Sequence, residues 1–477
     1  MTNAETFVPR SLHRRALAFA VATVLASGLA NSTVVGDRPR HETLPVVSDG
    51  RRFTPDAQEA PVVRGQLQTV VENCNDSGAG SLRDAYFHAV DGEELDLTQL
   101  TCSHITLTTG ALTDGVANVS LFGPGSGLLT IDGSYANRVF VHNGSGELRI
   151  EGLTITQGSY FGTYGGGCIY SYGDAYFVDV TVTGCSLGAS STTPMYGGAM
   201  YVRGRTFLIQ STVSNSRVNA PSVTSGGGGI WSGNSLIAAY STISDNMVVC
   251  DGSHYCRGGG IFAQGRAQVD ASTVSGNVAE TGAGIYSRGA QYEPYLLIQE
   301  STISGNRASG AGGGVFATKR ALIADSTIAT NTSYFPFGAG AYFFTLQDVT
   351  MYGTIVADNT SEDGLYAADL GGTAGLIVAG SHNLVMASTI TTPPDTLTSD
   401  PLLGPLRFNG GSSHTLTHAL LPGSPAIDRG INQGQIGQFV YDQRGHGFIR
   451  TIGADIDIGA YEVGADTIFR DGFDPIL

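Results

Sequence analysis

Two acidic residues, Glu300 and Asp325, are the strongest candidates in this chain for acid–base chemistry. Each stands two residues before the threonine of a recurring unit, STISGN at 301–306 and STIATN at 326–331. If equivalent positions of adjacent repeats lie side by side, the two carboxyl groups are ~5 Å apart. That separation suits the acid and the nucleophile of a retaining glycoside hydrolase.

A polysaccharide lyase would instead need a basic proton acceptor, often with calcium beside it. Lys319 is the only lysine in the sequence, so that role would fall to an arginine such as Arg266, Arg288 or Arg320. Calcium is therefore expected only under the lyase alternative, and no other cofactor or metal is predicted.

The sequence around the two carboxyl groups argues against catalysis. An acid and a nucleophile need different pKa values. The neighbouring Gln299 and the stretch QYEPY at 291–295 are polar or aromatic and offer no apolar pocket that would separate them. We therefore expect Glu300 and Asp325 to face water and to be ionised together. No catalytic residue is assigned, and these two remain the candidates only under an enzyme alternative.

Aromatic residues supply a second candidate column, because one follows each of seven glycine clusters such as GGGGIW at 226–231. The seven are Tyr170, Tyr201, Trp231, Phe262, Tyr286, Phe316 and Tyr342. Facing outward, the rings could contact sugars; packed inward or under loops, they would belong to the core, and the phenylalanines favour the core. Trp231 is predicted as a glycan contact. Tyr240 and Tyr352, from the column that contains Glu300, are predicted with it.

Other catalytic motifs are weak or missing from the sequence. The segment GCSLG at 184–188 fits GxSxG, but a nucleophile elbow needs a strand-to-helix turn and this segment lies in a repeat turn. No GxxxxGK[ST] or HExxH sequence occurs, and the ten histidines are scattered.

The elements that must position these residues form a repeat of 25 to 31 residues. Its marker threonines are Thr181, Thr212, Thr242, Thr273, Thr302, Thr327 and Thr354. Apolar residues alternate with Thr and Ser in each unit, which is the period of a strand with one buried face, and the trailing Asn suits a turn. The pattern predicts an all-β right-handed parallel β-helix, continuous from about 103 to 390. Ile243, Val274, Ile303 and Ile328 should form one inner ladder, and the trailing asparagines should stack at one corner.

The two ends of such a solenoid need covers, because an open last rung exposes unpaired strand edges. The stretch SLRDAYFHAV at 81–90 begins with a serine cap and places Leu82, Ala85 and Tyr86 on one face, so it predicts a short capping helix. We assign 67–399 to the β-helix with this N-terminal cap, and 400–462 to a C-terminal cap.

Six cysteines follow residue 66, and an even number favours disulfides in an exported chain. Six cysteines allow fifteen pairings. The favoured pairing joins nearest neighbours: Cys74 with Cys102, Cys168 with Cys185, and Cys250 with Cys256. A metal site is the competing interpretation, but no CxxC spacing supports it.

The N-terminal segment has the features of an export signal. Three arginines precede an apolar run at 16–30 that ends in small residues, which predicts a signal peptide over 1–30. The Arg14–Arg15 pair fits a twin-arginine signal poorly, so general secretion is favoured. Residues 31–66 read as a disordered linker, and 463–477 as either a sorting signal or a frayed end.

Charge and hydropathy exclude two classes of partner. The formal charge of −16 and a pI near 4.9 argue against binding to nucleic acid or to an anionic membrane surface. No apolar run of helix-spanning length follows residue 30, so no transmembrane helix is expected in the mature chain.

The repeats resemble those of bacterial surface proteins with right-handed parallel β-helices, including the polymorphic outer membrane type. CNDSGAGSLRDAYFHAVDGEELDL at 74–97 resembles the entry segment of such helices. DPLLGPLRFNGG, DQRG and DIGAYE, within 400–462, resemble the choice-of-anchor Q region. The resemblance covers about 70–462 and implies architecture and export without a catalytic motif.

These observations together favour an exported, non-catalytic, adhesin-like protein at the surface of a bacterium or outside it. Its expected partner is a polysaccharide or another cell surface. The alternative is a glycoside hydrolase or polysaccharide lyase of β-helix type.

Overall fold

The computed structural model describes residues 67–464, apart from residue 163, 189–192, 220–223, 251–254, 290–294, 336–337, 363–368, 432–438 and residue 454. The predicted signal peptide and linker lie outside the described residues, as does the tail from 465 onward.

The chain winds into a coil whose successive turns add strands to four parallel stacks, the first two of which are parts of one 21-stranded sheet. We call the stacks walls 1 to 4, in the order in which a turn visits them. Two long strands, Glu147–Thr156 and Asp174–Thr183, run through both wall 1 and wall 2. Among the described residues wall 1 has twelve strands, wall 2 eleven, wall 3 eight and wall 4 ten, which corresponds to about ten stacked turns.

The remaining strands of wall 1 are Gln68–Val70, Glu93–Asp96, Val119–Phe122, Thr206–Ile209, Ser235–Ala239, Arg266–Asp270, Tyr295–Gln299, Arg320–Ala324, Val349–Tyr352 and Val378–Ser381. Those of wall 2 are His104–Thr106, Thr130–Asp132, Thr212–Ser214, Thr242–Ser244, Thr273–Ser275, Thr302–Ser304, Thr327–Ala329, Ile355–Ala357 and Leu384–Val385.

Wall 3 consists of Ser159–Phe161, Ser186–Gly188, Arg217–Asn219, Met247–Val249, Val278–Ala279, Arg307–Ala308, Thr332–Ser333 and Thr360–Ser361. Wall 4 consists of Leu112–Asp114, Phe140–His142, Ile169–Ser171, Met200–Val202, Ile230–Ser232, Ile261–Ala263, Ile285–Ser287, Val315–Ala317, Ala341–Phe343 and Leu370–Gly372. Met195–Tyr196, Ser225–Gly226 and Cys256–Arg257 form a small extra sheet between walls 3 and 4.

The predicted inner ladder is confirmed. Ile243 pairs with Val274, Val274 with Ile303, and Ile303 with Ile328, and all four side chains are buried. Parallel strands in register place equivalent side chains one above the other, so an aliphatic residue at this position in every turn builds a continuous core.

The predicted asparagine stack is also confirmed at the corner between walls 2 and 3. Asn246 donates from its amide to the side-chain oxygen of Asn277 at 3.1 Å, and Asn277 donates to Asn306 at 2.9 Å. The same arrangement continues through Asn331 and Asn359. Each buried amide therefore has a hydrogen-bond partner in a neighbouring turn, so its burial leaves no polar group unpaired.

The N-terminal helix forms as predicted, over Leu82–His88. The hydroxyl of Ser81 accepts from the backbone N–H of Asp84, and Leu82 and Tyr86 are buried. The Tyr86 ring packs edge-on against Phe140 of wall 4 at 5.6 Å. The helix thus attaches to the solenoid through an aromatic and aliphatic face.

All three nearest-neighbour disulfides are present: Cys74–Cys102, Cys168–Cys185 and Cys250–Cys256. The Cys250–Cys256 bond joins two residues six positions apart, and residues 251–254 between them lie outside the described part of the chain. The Cys168–Cys185 pair is buried in the interior of the coil.

The segment 400–462 folds back onto the outside of wall 2. Its Leu420, Ala426 and Ile458 pack against Ile355 and Leu384 of that wall. The sequence predicts a cover over the end of the solenoid, whereas these contacts are lateral. The physical reason is that the outward side of wall 2 carries hydroxyl groups that the segment's backbone can bind.

Replacing Ile303 by aspartate should lower the free energy of unfolding by several kcal/mol, because it buries an unpaired charge in the stacked core. Urea unfolding monitored by circular dichroism measures the loss. Met247→Asp is the matched control, since Met247 also lies in a strand but is 38% exposed. Equal losses in the two variants would contradict the assigned ladder.

Candidate functional site

The outward threonines of wall 2 form one continuous column. Thr181 pairs with Thr212, and the register continues through Thr242, Thr273, Thr302 and Thr327. Alternation places the following aliphatic residue inside and the threonine outside, so each turn contributes one surface hydroxyl. These hydroxyls are spaced ~4.8 Å apart along the coil.

The segment 400–462 covers the later threonines of this column. The Thr273 hydroxyl donates to the carbonyl of Leu416 at 2.8 Å and accepts from its N–H at the same distance. Thr302 donates to the Gln443 side chain at 2.5 Å. The Thr327 hydroxyl accepts from the N–H of Ala460 at 3.1 Å. The column therefore binds extended backbone and amide groups.

Three threonines before this covered stretch remain free. The hydroxyls of Thr181, Thr212 and Thr242 are half-buried and form no hydrogen bond with any other described residue. On the far side of Thr181, Thr154 donates to the carbonyl of Ser126, so a loop covers the column there. The opening between Thr154 and Thr273 spans four rungs, or ~19 Å. We call the surface within this opening the open threonine face. It consists of Thr181, Thr212 and Thr242 and the neighbouring Thr183, Ser214 and Ser244.

Left-handed backbone turns bound the open threonine face on both sides. Gln210 and Tyr240 lie at the corner with wall 1, with φ of 50° and 51°. Asn215 and Asp245 lie at the corner with wall 3, with φ of 51° and 56°. Such angles are uncommon for residues other than glycine and are found where tertiary contacts over-determine the backbone. The four side chains are therefore held as fixed polar edges of the face.

Tyr240, predicted as a glycan contact, stands at the edge of this face. Burial, together with the nearby charges of Asp270 and Glu300, raises the pKa of Tyr240 to about 12. Its hydroxyl therefore remains a neutral donor and acceptor at any physiological pH.

Tyr352 does not belong to the same column, so that prediction is wrong in register. Thr327 pairs with Ile355, which places Thr354 opposite Ser326, and Tyr352 pairs with Ala324 in wall 1. Gly353, with φ of 52°, takes the left-handed turn position instead. The sequence spacing misled because the GTIVADN unit carries its threonine one position earlier than the other units.

Glu300 and Asp325 also occupy this turn position, but the expectation that they face water is wrong. The side chain of Glu300 is 1% exposed, and that of Asp325 is 25% exposed. Arg450 from the covering segment lies over both, with Nε 3.2 Å from Glu300 Oε1 and Nη2 3.4 Å from Asp325 Oδ1. The segment 400–462, called the cover from here on, buries the two carboxyl groups. The residues next to them in the sequence could not reveal this burial.

Burial determines the protonation of this pair. It raises the pKa of Glu300 well above its usual value, although Arg450 acts in the opposite direction. It also raises the pKa of Asp325, again against Arg450. Burial acts to lower the pKa of Arg450, but Glu300, Asp325 and other acidic groups of the cover raise it overall. The arginine therefore stays charged between two carboxyl groups whose ionisation is disfavoured by burial.

A second network fixes the cover itself. Arg444 donates to the Asp442 carboxylate at 2.6 Å and to the Glu462 carbonyl at 2.7 Å. The Glu462 carboxylate accepts from the N–H of Asp457 at 3.0 Å, and Asp457 accepts from the N–H of Val463 at 2.7 Å. Sequence reasoning assigned no role to these residues, although they lie in the DQRG and DIGAYE motifs that marked the segment.

The aromatic column behaves as packing rather than as a platform for sugars. Tyr201 stacks on Trp231 at 4.3 Å with planes 3° apart, and Tyr286 stacks on Phe316 at 5.4 Å. Parallel stacking along the coil hides the ring faces and leaves edges outward. Trp231 is only 8% exposed, beneath Tyr196. The rings in the middle of the column are therefore packed under other residues, which is the second of the two arrangements that the sequence allowed.

Neither a metal centre nor a membrane helix is found in the described part of the chain. Its His, Cys, Asp and Glu side chains include no cluster of three arranged to bind an ion. None of its helices has the length and apolar character needed to cross a bilayer.

The four-walled coil defines the class of this molecule as a parallel β-helix protein. Residues 253–391 match the family model described as "Right handed beta helix region", in agreement with the predicted fold. No curated protein gives a significant match to the chain. The resemblances to the polymorphic outer membrane type and to the choice-of-anchor Q region stay predictions.

One solved structure with a similar fold is entitled "Crystal structure of pectate lyase Pel9A". It aligns with a TM-score of 0.47 and 15% sequence identity, over 84% of this chain and 98% of the other. A likeness at that level carries no inference about the activity of this chain.

Replacing Arg450 by methionine should release the cover and cost about 3–5 kcal/mol, because Glu300 is left buried without its partner. Limited proteolysis and urea unfolding follow the change. Arg320→Met is the control, since its ion pair with Asp348 is exposed and should contribute less than about 1 kcal/mol. Adding Glu300→Met to Arg450→Met should restore much of the loss. No difference between Arg450→Met and the control would refute the docking role.

Stability should fall as pH rises from 5 to 8. Burial raises the pKa of Glu462 from its usual 4.5 to about 8, with Asp457 adding to the shift against Arg450 and two backbone donors. A raised pKa in the folded state means that the stabilisation is complete below pH 4.5 and is lost toward pH 8. Glu462→Gln should make this decline roughly 2 kcal/mol smaller. Urea titrations at a series of pH values test it, and an unchanged pH dependence would contradict it.

Proposed function

We propose that this protein is exported and binds a polysaccharide through the open threonine face, without cleaving it. The supporting observation is the contrast within one column of hydroxyls. Thr273, Thr302 and Thr327 bind the cover, whereas the hydroxyls of Thr181 and Thr212, in register with them, have no hydrogen-bond partner among the described residues. A hydroxyl-rich chain such as a glycan can donate to and accept from each free group.

The shape of the face also favours an extended ligand. Loops close it at both ends, at Thr154 and at Thr273, and fixed polar side chains edge it on both sides. A surface with repeating hydroxyls at ~4.8 Å can bind a repeating polymer in several successive registers. Weak contacts at each rung add up, which is typical of adhesion to a polymer.

Export accounts for the covalent chemistry of the chain. Its six cysteines form three disulfides, and such bonds persist in oxidising compartments outside the cytosol. Together with the signal-like residues 1–30, this supports a location at the surface of a bacterium or outside it.

The alternative is a glycoside hydrolase or polysaccharide lyase that uses Glu300 and Asp325. Their raised pKa values favour an acid role for one carboxyl group. Arg450 and the cover stand between these groups and any substrate, so catalysis would require the cover to leave. We therefore place binding first.

Replacing both Thr212 and Thr242 by valine should weaken glycan binding about tenfold or more, because each lost hydrogen bond contributes about 1 kcal/mol. A panel of soluble polysaccharides, followed by calorimetric titration of the ones that bind, measures this. Thr332→Val in wall 3 is the matched control and should bind as the original protein does.

The same samples should release no reducing ends and no unsaturated products. Release that disappears in Glu300→Gln or Asp325→Asn would overturn the proposal in favour of the enzyme alternative. Binding that is equal in the double variant and in the control would refute the threonine face as the site.

A further inference from the structure

A notch interrupts the corner between walls 2 and 3, beside the open threonine face. The left-handed column at this corner reads Gln157, Gly184, Asn215 and Asp245 in successive turns. Only Gly184 in this stretch lacks a side chain. A Cβ atom placed there would be 3.5 Å from Thr156 Oγ1 and 3.7 Å from Tyr135 Oη, which are ordinary van der Waals distances, so a side chain can enter here without a clash at its Cβ.

Polar groups from three directions line this notch. Ser159, Ser186 and Arg217 are adjacent in the register of wall 3, and they form one side. Asn215 and the Tyr135 ring form the others. The concavity has a volume of about 600 Å³, within the range of sites that take small ligands.

The notch is rigid on two sides. Its floor residue Cys185 is bonded to Cys168 inside the coil, which fixes the turn that carries Gly184. Ser134 and Tyr135 both adopt left-handed angles, with φ of 51° and 54°. The N–H of Tyr135 donates to the carbonyl of Gln157 at 2.6 Å. Strained backbone angles persist where tertiary contacts hold them. Here they hold the ring of Tyr135, which is 57% exposed, at the edge of the notch.

One uncompensated positive charge faces the notch. Arg217 is exposed and has no ion-pair partner among the described residues, and no carboxylate lines the concavity. The nearest acidic residue of the corner column, Asp245, is two turns beyond Gly184 and one turn beyond the turn that carries Arg217, with which it forms no ion pair among the described contacts. Arg307 stands in the same column of wall 3 as Arg217, but it is paired with Glu362. In a chain of charge −16, a free arginine beside neutral donors selects an anion.

We infer that the notch is a subsite for an acidic sugar residue of the glycan. The Arg217 guanidinium binds its carboxylate, the hydroxyl and amide groups bind the sugar hydroxyls, and the exposed Tyr135 ring packs against the sugar. This assignment rests on the proposed function, since the rest of the polymer would lie along the open threonine face. The preferred ligand is therefore a polyuronate rather than a neutral glycan.

The test uses the full exported chain with short oligouronates and with the same oligosaccharides after carboxyl reduction, which makes them neutral. Calorimetric titration should show at least about tenfold tighter binding of the acidic form. Arg217→Gln should abolish that preference, and Arg307→Gln, from the same column, should preserve it.

A second pair of variants tests the notch by its shape. Gly184→Asn fills the space with a residue that tolerates a left-handed backbone. It should weaken binding of the oligouronate about tenfold or more. Gly305→Asn is the control, because Gly305 lies in the same corner column with φ of 65° but outside the notch. Thermal melting confirms that both variants fold.

The outcomes separate the subsite from the proposed function. Equal binding of the acidic and reduced oligosaccharides, unaffected by Arg217→Gln, would overturn the subsite while the threonine face could still bind. Binding that needs Arg217 but is unaffected by Thr212→Val with Thr242→Val would support the subsite and refute the face. Binding of neither oligosaccharide would refute both.

Discussion

Every feature of this molecule depends on the register of parallel strands from one turn to the next. Backbone hydrogen bonding fixes the turns ~4.8 Å apart, so each side chain meets its equivalent above and below. The inner ladder through Ile303 packs because each turn places an aliphatic residue there. The asparagine column at Asn306 is satisfied because each turn places an amide there. One repeated sequence therefore produces both the core and the polar corner.

The same constraint creates surfaces that a solenoid must cover or use. An outward column repeats as faithfully as an inward one, so wall 2 displays a row of hydroxyl groups. The segment 400–462 covers the later part of this row with backbone and amide partners. It also encloses Glu300 beneath Arg450, where burial rather than water sets the charge. The part left open is then the part available to a ligand.

Departures from the repeat carry the functional information. Gly184 opens a notch because its neighbours in the corner column have side chains. Arg217 has no ion-pair partner among the described residues, whereas Arg307 pairs with Glu362 from two turns further along the coil. In a repeated structure, most positions are explained by stacking with their own copies. The exceptions are explained by what they contact outside the stack.

The sequence by itself determined the coil, the inner ladder, the asparagine stack and the capping helix, and it favoured the disulfide pairing that the structure contains. Each depends on spacing along the chain or on residue type at a repeated position. Only the tertiary structure decided the burial of Glu300 and Asp325 and the limits of the open threonine face. The burial depends on where residues 400–462 dock, and Arg450, which contacts Glu300, is 150 positions away from it. The limits of the face depend on the same docking and on the loop that carries Ser126. The repeat pattern cannot predict such a contact, because docking depends on the shape and charge of segments that are distant in the sequence.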